Sequence, residues 1–376
     1  MSGGRKQQMK KEIWTYLETD GRGELLSTSG ELLAKAKIIA AAAEEEKEYS
    51  ICALLAGAEH DSLQSAAEKA LGAGADRAVL IEGADLAVYS AEFYSDAIGG
   101  LAETEKPKMI LFERTTDGMD LAPRLAARLG AGMISDCVDL VKEEGKLLWV
   151  RHAFGGTAAV SVSFREQEKT QIISIRPGSF GGAGRVKNNA DGVCSIPEPA
   201  GKGQNMPEND VRITSVPYPS ADSADSAGRA AGERIVRPEL VEVLEAAADR
   251  GMDPGSASVI VAGGNGAGPE GFKLIEELAD LLHGAVGASR VAVDKGWISH
   301  AHLIGQSGIT VTPDLYINCG ISGSVQHIVG MRDAKCVVSI NKDPKALIFN
   351  VSDYGIVGDL HKVLPALIAE IRRHRG

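Results

Sequence analysis

The 376-residue sequence predicts an α/β protein of two domains, each a mainly parallel, doubly wound sheet. Three observations carry this expectation. Short β-rich runs alternate with helix-length stretches through the first half, the alternation breaks in a Gly-, Pro- and Asn-rich stretch, and it then starts again. The length is also sufficient for two cores of ordinary size.

The first-half strands are expected in "EIWTYLE", "YSICALLAG", "DRAVLIEG" and "KMILFERT", each short, β-rich and bounded by Gly, Asp or charged residues. Between them "GELLAKAKIIAAAAEEE", "DSLQSAAEKALGAG" and "SAEFYSDAIGGLAE" read as helices, which places helices on the faces of a parallel sheet. A further helix, "DLAPRLAARLGAG", has Asp120 as a candidate N-cap and Gly130 as a C-cap signal. "DCVDLVKEEGKLLWVRHAFGG" reads as two strands around a Glu144-Gly145 turn, and "TQIISIRPGSF" as another strand. Arg176 to Glu233 reads as a weakly structured connection, with Ser220 to Gly232 as a spacer. Domains are therefore expected at 11–205 and 238–376, with a linker at 206–237.

The second half opens with "PELVEVLEAAADRGM", a helix with Pro238 in its first turn. The strand "SASVIVAGG", the helix "PEGFKLIEELADLLHGA" and the strands "VGASRVAV" and "LYINCGI" follow. "SVQHIVGM" then reads as a helix, and "CVVSINKD" and "ALIFNVSDYG" as strands. The last helix, "GDLHKVLPALIAEIRR", sets Leu360, Val363, Leu364, Leu367, Ile368 and Ile371 on one face, the pattern of a core-facing stripe.

Composition narrows the function. Hydrophobic residues make up 44% and charged residues 24%, as in ordinary soluble domains. A net charge of −11 argues against nucleic acid or an anionic membrane as partner. The five cysteines form no C-x-x-C pair, so neither a disulfide framework nor a zinc site is expected. The basic N-terminus lacks the apolar stretch of a signal peptide, and no run of about 18 apolar residues occurs, so a cytoplasmic protein without membrane insertion is expected.

Four stretches carry candidate chemistry. "VIVAGGNGAGPEGF" places five glycines in nine residues between a strand and a helix, and Gly266, Gly268 and Gly271 fit G-x-G-x-x-G. Amides at such a turn suit a diphosphate; a tight turn without ligand produces the same spacing. Arg290, at the end of an apolar segment, needs an anion: Asp294, a bound phosphate or an electron-rich ring. Gly320-Ile321-Ser322-Gly323-Ser324 misses the last glycine of a nucleophile elbow, and no Asp–His pair completes a triad. Ser322 instead suits a helix cap, with His327 one turn further on. Asn341, Asp353 and Asp359 lie past strand ends, where they suit either a ribose or adenine contact or ordinary turns.

In order, "GASRVAVDKGW" (287–297), "IGQSG" (304–308), "PDLYINCGISGSVQHIVGM" (313–331) and "INKDPKALIFNVSDYGIVGDL" (340–360) resemble the α subunit of the electron transfer flavoproteins. "DLAPRLAARLGAGMISDCVDL", "AFGG" and "IRPGSF" resemble the same family's N-terminal domain, so the likeness covers nearly the whole chain. It implies that the C-terminal domain is a Rossmann-like domain binding FAD, and that the N-terminal domain contacts a β subunit. It also implies an electron carrier rather than a stand-alone enzyme, with an acyl-CoA dehydrogenase or similar redox partner or an NADH-linked, bifurcating complex. An NAD(P)- or adenine-nucleotide-binding oxidoreductase subunit of the same fold is the alternative.

The resemblance also implies site residues, none of them catalytic or metal-binding. Ser289 and Arg290 match positions beside the flavin ring, and Ile304, Gly305, Gln306, Ser307 and Gly308 match the loop over it. Ser322, Gly323, Ser324, Val325, Gln326 and His327 match the segment from pyrophosphate to flavin, and Asn341, Asp359 and Leu360 the adenosine end. Gly264 and Asn265 match the glycine-rich turn, with Asn265 where many members have arginine. Arg290 and His327 are expected to stabilise negative charge on the ring, and Ser307 to hydrogen-bond near its N5.

Overall fold

The computed structural model describes residues 11–19, 23–43, 49–154, 158–165, 169–180, 185–188, 192–195, 212–218, 254–255 and 257–375. The chain divides into two compact units, residues 1–153 with 159–241, and 154–158 with 242–376.

In the first unit, β1 (Lys11–Tyr16), β2 (Tyr49–Gly57), β3 (Arg77–Glu82), β4 (Met109–Glu113) and β8 (Gln171–Ile175) form the parallel centre of an 11-stranded sheet, ordered β3-β2-β1-β4-β8. Period-two alternation decides which face each side chain serves. Ile13, Ile51, Leu55 and Leu80 pack under α1 (Ser27–Ala42) and α2 (His60–Gly72). Trp14, Cys52, Leu54 and Ile110 face α3 (Ala91–Glu105) and α4 (Thr116–Leu129). β5 (Gly132–Glu143) and β6 (Lys146–Ala153) form an antiparallel hairpin, turning where Glu144 and Gly145 both take positive φ, and β7 (Ala158–Val162) pairs with β6.

Two expectations are corrected here. The N-cap of α4 is Thr115, whose hydroxyl accepts from Gly118 N at 2.9 Å, while Asp120 lies inside the helix and pairs with Arg124. Gly130 does end it, in the left-handed conformation. The stretch from Arg176 is also more ordered than its composition suggests. Arg176 is buried, β9 (Arg185–Asn188) and β10 (Gly192–Ser195) extend the sheet, and β11 (Ile213–Pro217) runs parallel to β3 inside the expected linker. Residues 206–211 and 219–237, and the helix expected from Pro238, lie outside the described residues.

In the second unit β12 (Val259–Gly263), β13 (Ala285–Ala288), β14 (Leu315–Cys319), β15 (Val337–Asn341) and β16 (Tyr354–Val357) form an all-parallel sheet ordered β13-β12-β14-β15-β16. Val261, Ile317, Cys319 and Ile340 pack on one face against α5 (Gly268–Leu281) and α8 (Leu360–Arg375), and Leu360, Leu364 and Ile368 seal that core as the stripe predicts. On the other face Ile260, Ala262 and Tyr316 meet Ile304, Val311, Ile321, Met331 and Ile348. Two boundaries differ from the sequence expectation. β13 stops at Ala288, and Arg290–Asp294 form a short helix, α6, rather than more strand. Leu347–Val351 is a 3-10 turn, and the strand comes later, at β16.

The strand order reverses direction between β12 and β14. In open parallel sheets this is where the two crossovers leave to opposite faces and open a crevice at the carboxyl edge.

Candidate functional site

That crevice is a cavity of about 670 Å³. It is lined from four neighbouring strand ends: Ser289 and Arg290 after β13, Asn265 and Gly266 after β12, Ser322 and Ser324 after β14, and Asn341, Asp343 and Lys345 after β15. At about 4.8 Å between strands, three gaps give a trough roughly 14 Å across, suited to an elongated ligand lying over the sheet edge.

Backbone contacts of glycine build its floor. Gly264 N donates to Cys319 O at 2.9 Å and Gly266 N to Gly320 O at 3.0 Å, so the turns after β12 and β14 touch directly. A Cβ on Gly264 would sit 2.4 Å from the Gly320 oxygen, and one on Gly266 2.9 Å from it. Gly320 itself has φ +66°. The glycines after β12 are therefore accounted for first by turn-to-turn packing, and only Asn265 and Gly266 of that stretch reach the cavity.

The polar clusters at 304–308 and 322–327 do meet. Gln306 N donates to Gln326 O at 2.7 Å, and Gly305, at φ +145°, leaves room for that carbonyl, which a Cβ would approach to 2.7 Å. Ile304 N donates to Ala288 O at 3.0 Å, tying the same loop to β13. Ile304, Gly305, Gln306 and Ser307 line the cavity, as do Gln326 and His327 of α7 (Val325–Met331).

His327 departs from its expected role. It is 4% exposed, its Nδ1 lies 3.0 Å from Ile304 O and its Nε2 3.2 Å from Tyr316 Oη. A carbonyl only accepts, so Nδ1 carries the proton and Nε2 accepts from the tyrosine. Burial lowers its pKa from 6.5 to about 4, against the pull of the Ile304 carbonyl. At neutral pH His327 is thus an uncharged brace with both nitrogens engaged, and the positive charge expected of it is absent.

Arg290 is exposed, although it follows an apolar segment. Its Nε donates to Asp294 Oδ1 at 2.7 Å across the pair, 60% and 55% exposed, and its Nη1 lies 3.5 Å from Ser307 Oγ. The structural partner Asp294 is therefore real, and the guanidinium still fronts the cavity. Such an exposed pair contributes little to stability, about 0–1 kcal/mol, and leaves the guanidinium free to take another anion.

Ser322 does not cap α7. Ser324 holds the N-cap position without a side-chain capping bond, its carbonyl accepting from His327 N and Ile328 N, and both serines line the cavity. Gly323, at φ +86°, lets the segment pass 347–348, where a Cβ would meet Ile348 N. Asn341 is pinned at both ends of its amide: Nδ2 donates to Ile321 O at 2.9 Å and Oδ1 accepts from Asp343 N at 3.0 Å.

Six expected site residues lie outside the lining. Gly264 is beneath the floor, Gly308 closes the 305–308 turn, Gly323 packs on 347–348, and Val325 is exposed on α7. Asp359 accepts from His361 N at the start of α8, and Leu360 is in the core. The lining adds residues the sequence did not single out, among them Asp343, Lys345 and Leu347. Asp343 and Lys345 follow Asn341 directly past the end of β15, and two charges beyond a strand end are the signal that marks them.

Among the described residues no cluster of His, Cys, Asp and Glu is placed to hold a metal ion, and no helix is long and apolar enough to cross a membrane.

Residues 13–199 match the family model of the electron transfer flavoprotein domain, and residues 255–332 that of the electron transfer flavoprotein FAD-binding domain. The chain is 37% identical to the electron transfer flavoprotein subunit alpha of Thermoanaerobacterium thermosaccharolyticum, over 96% of this chain and 98% of that one. It is 37% identical to the protein FixB of Clostridium saccharobutylicum over 96% of each chain, and 36% identical to the Bacillus subtilis subunit alpha over 93% and 94%. The chain therefore belongs to the electron transfer flavoprotein α-subunit family, and its second unit carries that family's FAD-binding domain.

Proposed function

We propose that this chain, paired with a β subunit, carries electrons between dehydrogenases and an acceptor on an FAD laid along the trough at the carboxyl edge of the second sheet. The observation that supports it most is the sequence of chemistries along that edge. A guanidinium and a hydroxyl stand at the β13 end (Arg290, Ser307), small polar groups over the switch point (Asn265, Ser322, Ser324) and a pinned amide at the β15 end (Asn341). A flavin ring, a diphosphate and an adenosine ask for those groups in that order. Gly358 N donates to Asn341 O at 3.0 Å, so Asp359 follows directly on the adenosine end although it does not line the cavity.

The flavin supplies the redox chemistry when bound. The protein's part is to hold it, to keep water from one face with the 304–308 loop, and to set the charge at its edge. Arg290 brings a cation to the β13 end of the lining, while burial holds the His327 pKa at about 4. Ser307 offers its hydroxyl on the same side, and the His327–Ile304 bond fixes the loop that carries it.

The test is spectroscopic. The purified αβ complex should be yellow, with a flavin spectrum that a nicotinamide cannot give. One FAD per pair fits a simple carrier and two a bifurcating complex. A complex that stays colourless after reconstitution with its partner and free FAD overturns the proposal.

A further inference from the structure

Asn265 stands on the turn between β12 and α5, at the middle of the trough, and Lys295 is bound to it: Nζ donates to Asn265 Oδ1 at 2.6 Å. An ammonium carries donors and no acceptor. The carboxamide must therefore turn its oxygen to Lys295, which leaves the two Nδ2 hydrogens for the cavity side. Among the described residues Nδ2 has no other partner.

Lys295 is held in turn. Its Nζ lies 4.9 Å from the centroid of the Trp297 ring, a cation–π contact that restrains the long side chain. Among the described residues it pairs with no carboxylate, in contrast to Arg290, which spends Nε on Asp294. An uncompensated positive charge and two oriented N–H donors thus converge at the centre of a trough whose ends carry the ring-type and adenosine-type contacts.

We propose that Asn265 and Lys295 act as one unit that grips the diphosphate of the dinucleotide. Asn265 donates Nδ2–H to a phosphate oxygen, and Lys295 fixes the carboxamide and lends its charge. The proposal rests on the FAD reading of the cavity. Hydrogen bonds to a charged group are the strong ones, so losing either member should weaken FAD binding by about tenfold or more.

The experiment compares FAD with riboflavin, which has the ring but no phosphate, by fluorescence titration of the flavin-depleted αβ complex. Lys295→Met and Asn265→Ala should each weaken FAD by about tenfold while riboflavin stays within about twofold, and the double variant should lose little more than the larger single one. Added salt should erode FAD binding less in Lys295→Met than in the wild type. Asn265→Arg on the Lys295→Met background puts a cation directly at the turn and should recover most of the loss. FAD affinity unchanged by Lys295→Met, or riboflavin and FAD weakened alike, overturns the diphosphate role and leaves the FAD reading standing. A wild-type complex that binds neither flavin overturns that reading itself, before any variant is compared.

Discussion

His327 Nδ1 donates to the Ile304 carbonyl at 3.0 Å, and this bond holds the 304–308 loop against α7 from within the core. The same ring accepts from Tyr316 on β14, so a sheet residue, a helix residue and a loop carbonyl share one buried imidazole. His327→Leu keeps the bulk and loses both bonds, leaving a buried carbonyl and a buried phenol unpaired. Each orphaned group costs about 1–3 kcal/mol. Denaturant unfolding of the second unit should register that loss, and flavin content should fall with it. Unchanged stability would show that water satisfies both groups.

The same burial makes stability pH-dependent. His327 has its folded pKa lowered from 6.5 to about 4, so above 6.5 it is neutral in both states and its full contribution is present. As pH falls below 6.5 the unfolded chain takes up a proton that the folded one refuses until about 4. Stability should decline across that window by a few kcal/mol, on the order of 1.4 per pKa unit, and level off for this group below it. Urea midpoints at several pH values measure the slope, and His327→Gln should flatten it in this range.

Arg290 is where charge reaches the ring in the proposed site. Arg290→Ala should lower the flavin's first reduction potential, since the reduced form gains negative charge that the guanidinium would balance. A tenfold change in relative affinity for the two redox forms moves a one-electron couple by about 59 mV, and a drop of that order is expected. Arg290→Lys should recover part of it. Asp294→Asn should act oppositely, because it frees the Nε that Asp294 now holds at 2.7 Å. Redox titration of the three variants gives the answer, and an unmoved potential in Arg290→Ala would remove Arg290 from the ring's edge.

Both sheets were legible in the sequence because period-two and helical patterns leave few other ways to bury Ile13, Leu55, Ile260 or Leu364. The N-cap of α4 was not, since Thr115 and Asp120 are both good caps and only the backbone decides between them. Most of the candidate site could be named from motifs, and the direction in which its groups point could not. His327 and Arg290 had roles implied by the resemblance, yet burial lowers the pKa of the first, and Asp294, one of the anions expected for it, engages the second. Lys295 gave no signal at all, being one more lysine beside a tryptophan until its Nζ is placed on Asn265.

Arg176 was hidden by the glycine and proline that follow it. It is 2% exposed, and its Nε and Nη2 grip Asp136 at 2.9 and 2.6 Å, with Asp136 held at φ +60°. Its carbonyl accepts from Lys35 Nζ at 2.9 Å, and Lys35 also reaches Glu113 at 3.1 Å. Burial pushes the Glu113 carboxyl up to about 8, against the pull of Lys35. Arg176→Met should destabilise the first unit by about 3–5 kcal/mol, the cost of breaking a buried pair. Chemical unfolding checks it, and a loss under 1 kcal/mol would show that Arg114, also on Asp136 at 3.2 Å, suffices alone.

The floor of the cavity offers the sharpest steric test. Gly264 faces backbone on two sides, with Gly320 O 2.4 Å and Ile321 Cα 2.7 Å from where a Cβ would stand. Ile321 Cγ1 also lies 2.7 Å away, but moving that side chain would not clear the two backbone contacts, so Gly264→Ala must push apart the turns after β12 and β14. Overpacking of this kind costs about 1–3 kcal/mol. It should also loosen the Gly264–Cys319 and Gly266–Gly320 bonds, which set the width of the trough at its centre. Gly268→Ala is the control: nothing lies within 4 Å of its Cβ, and only its φ of +62° opposes the change. That strain costs roughly 1–2 kcal/mol and leaves the floor in place. Gly264→Ala should therefore release FAD while Gly268→Ala, at similar stability, retains it. Equal FAD retention by the two variants would show that turn-to-turn contact does not shape the site.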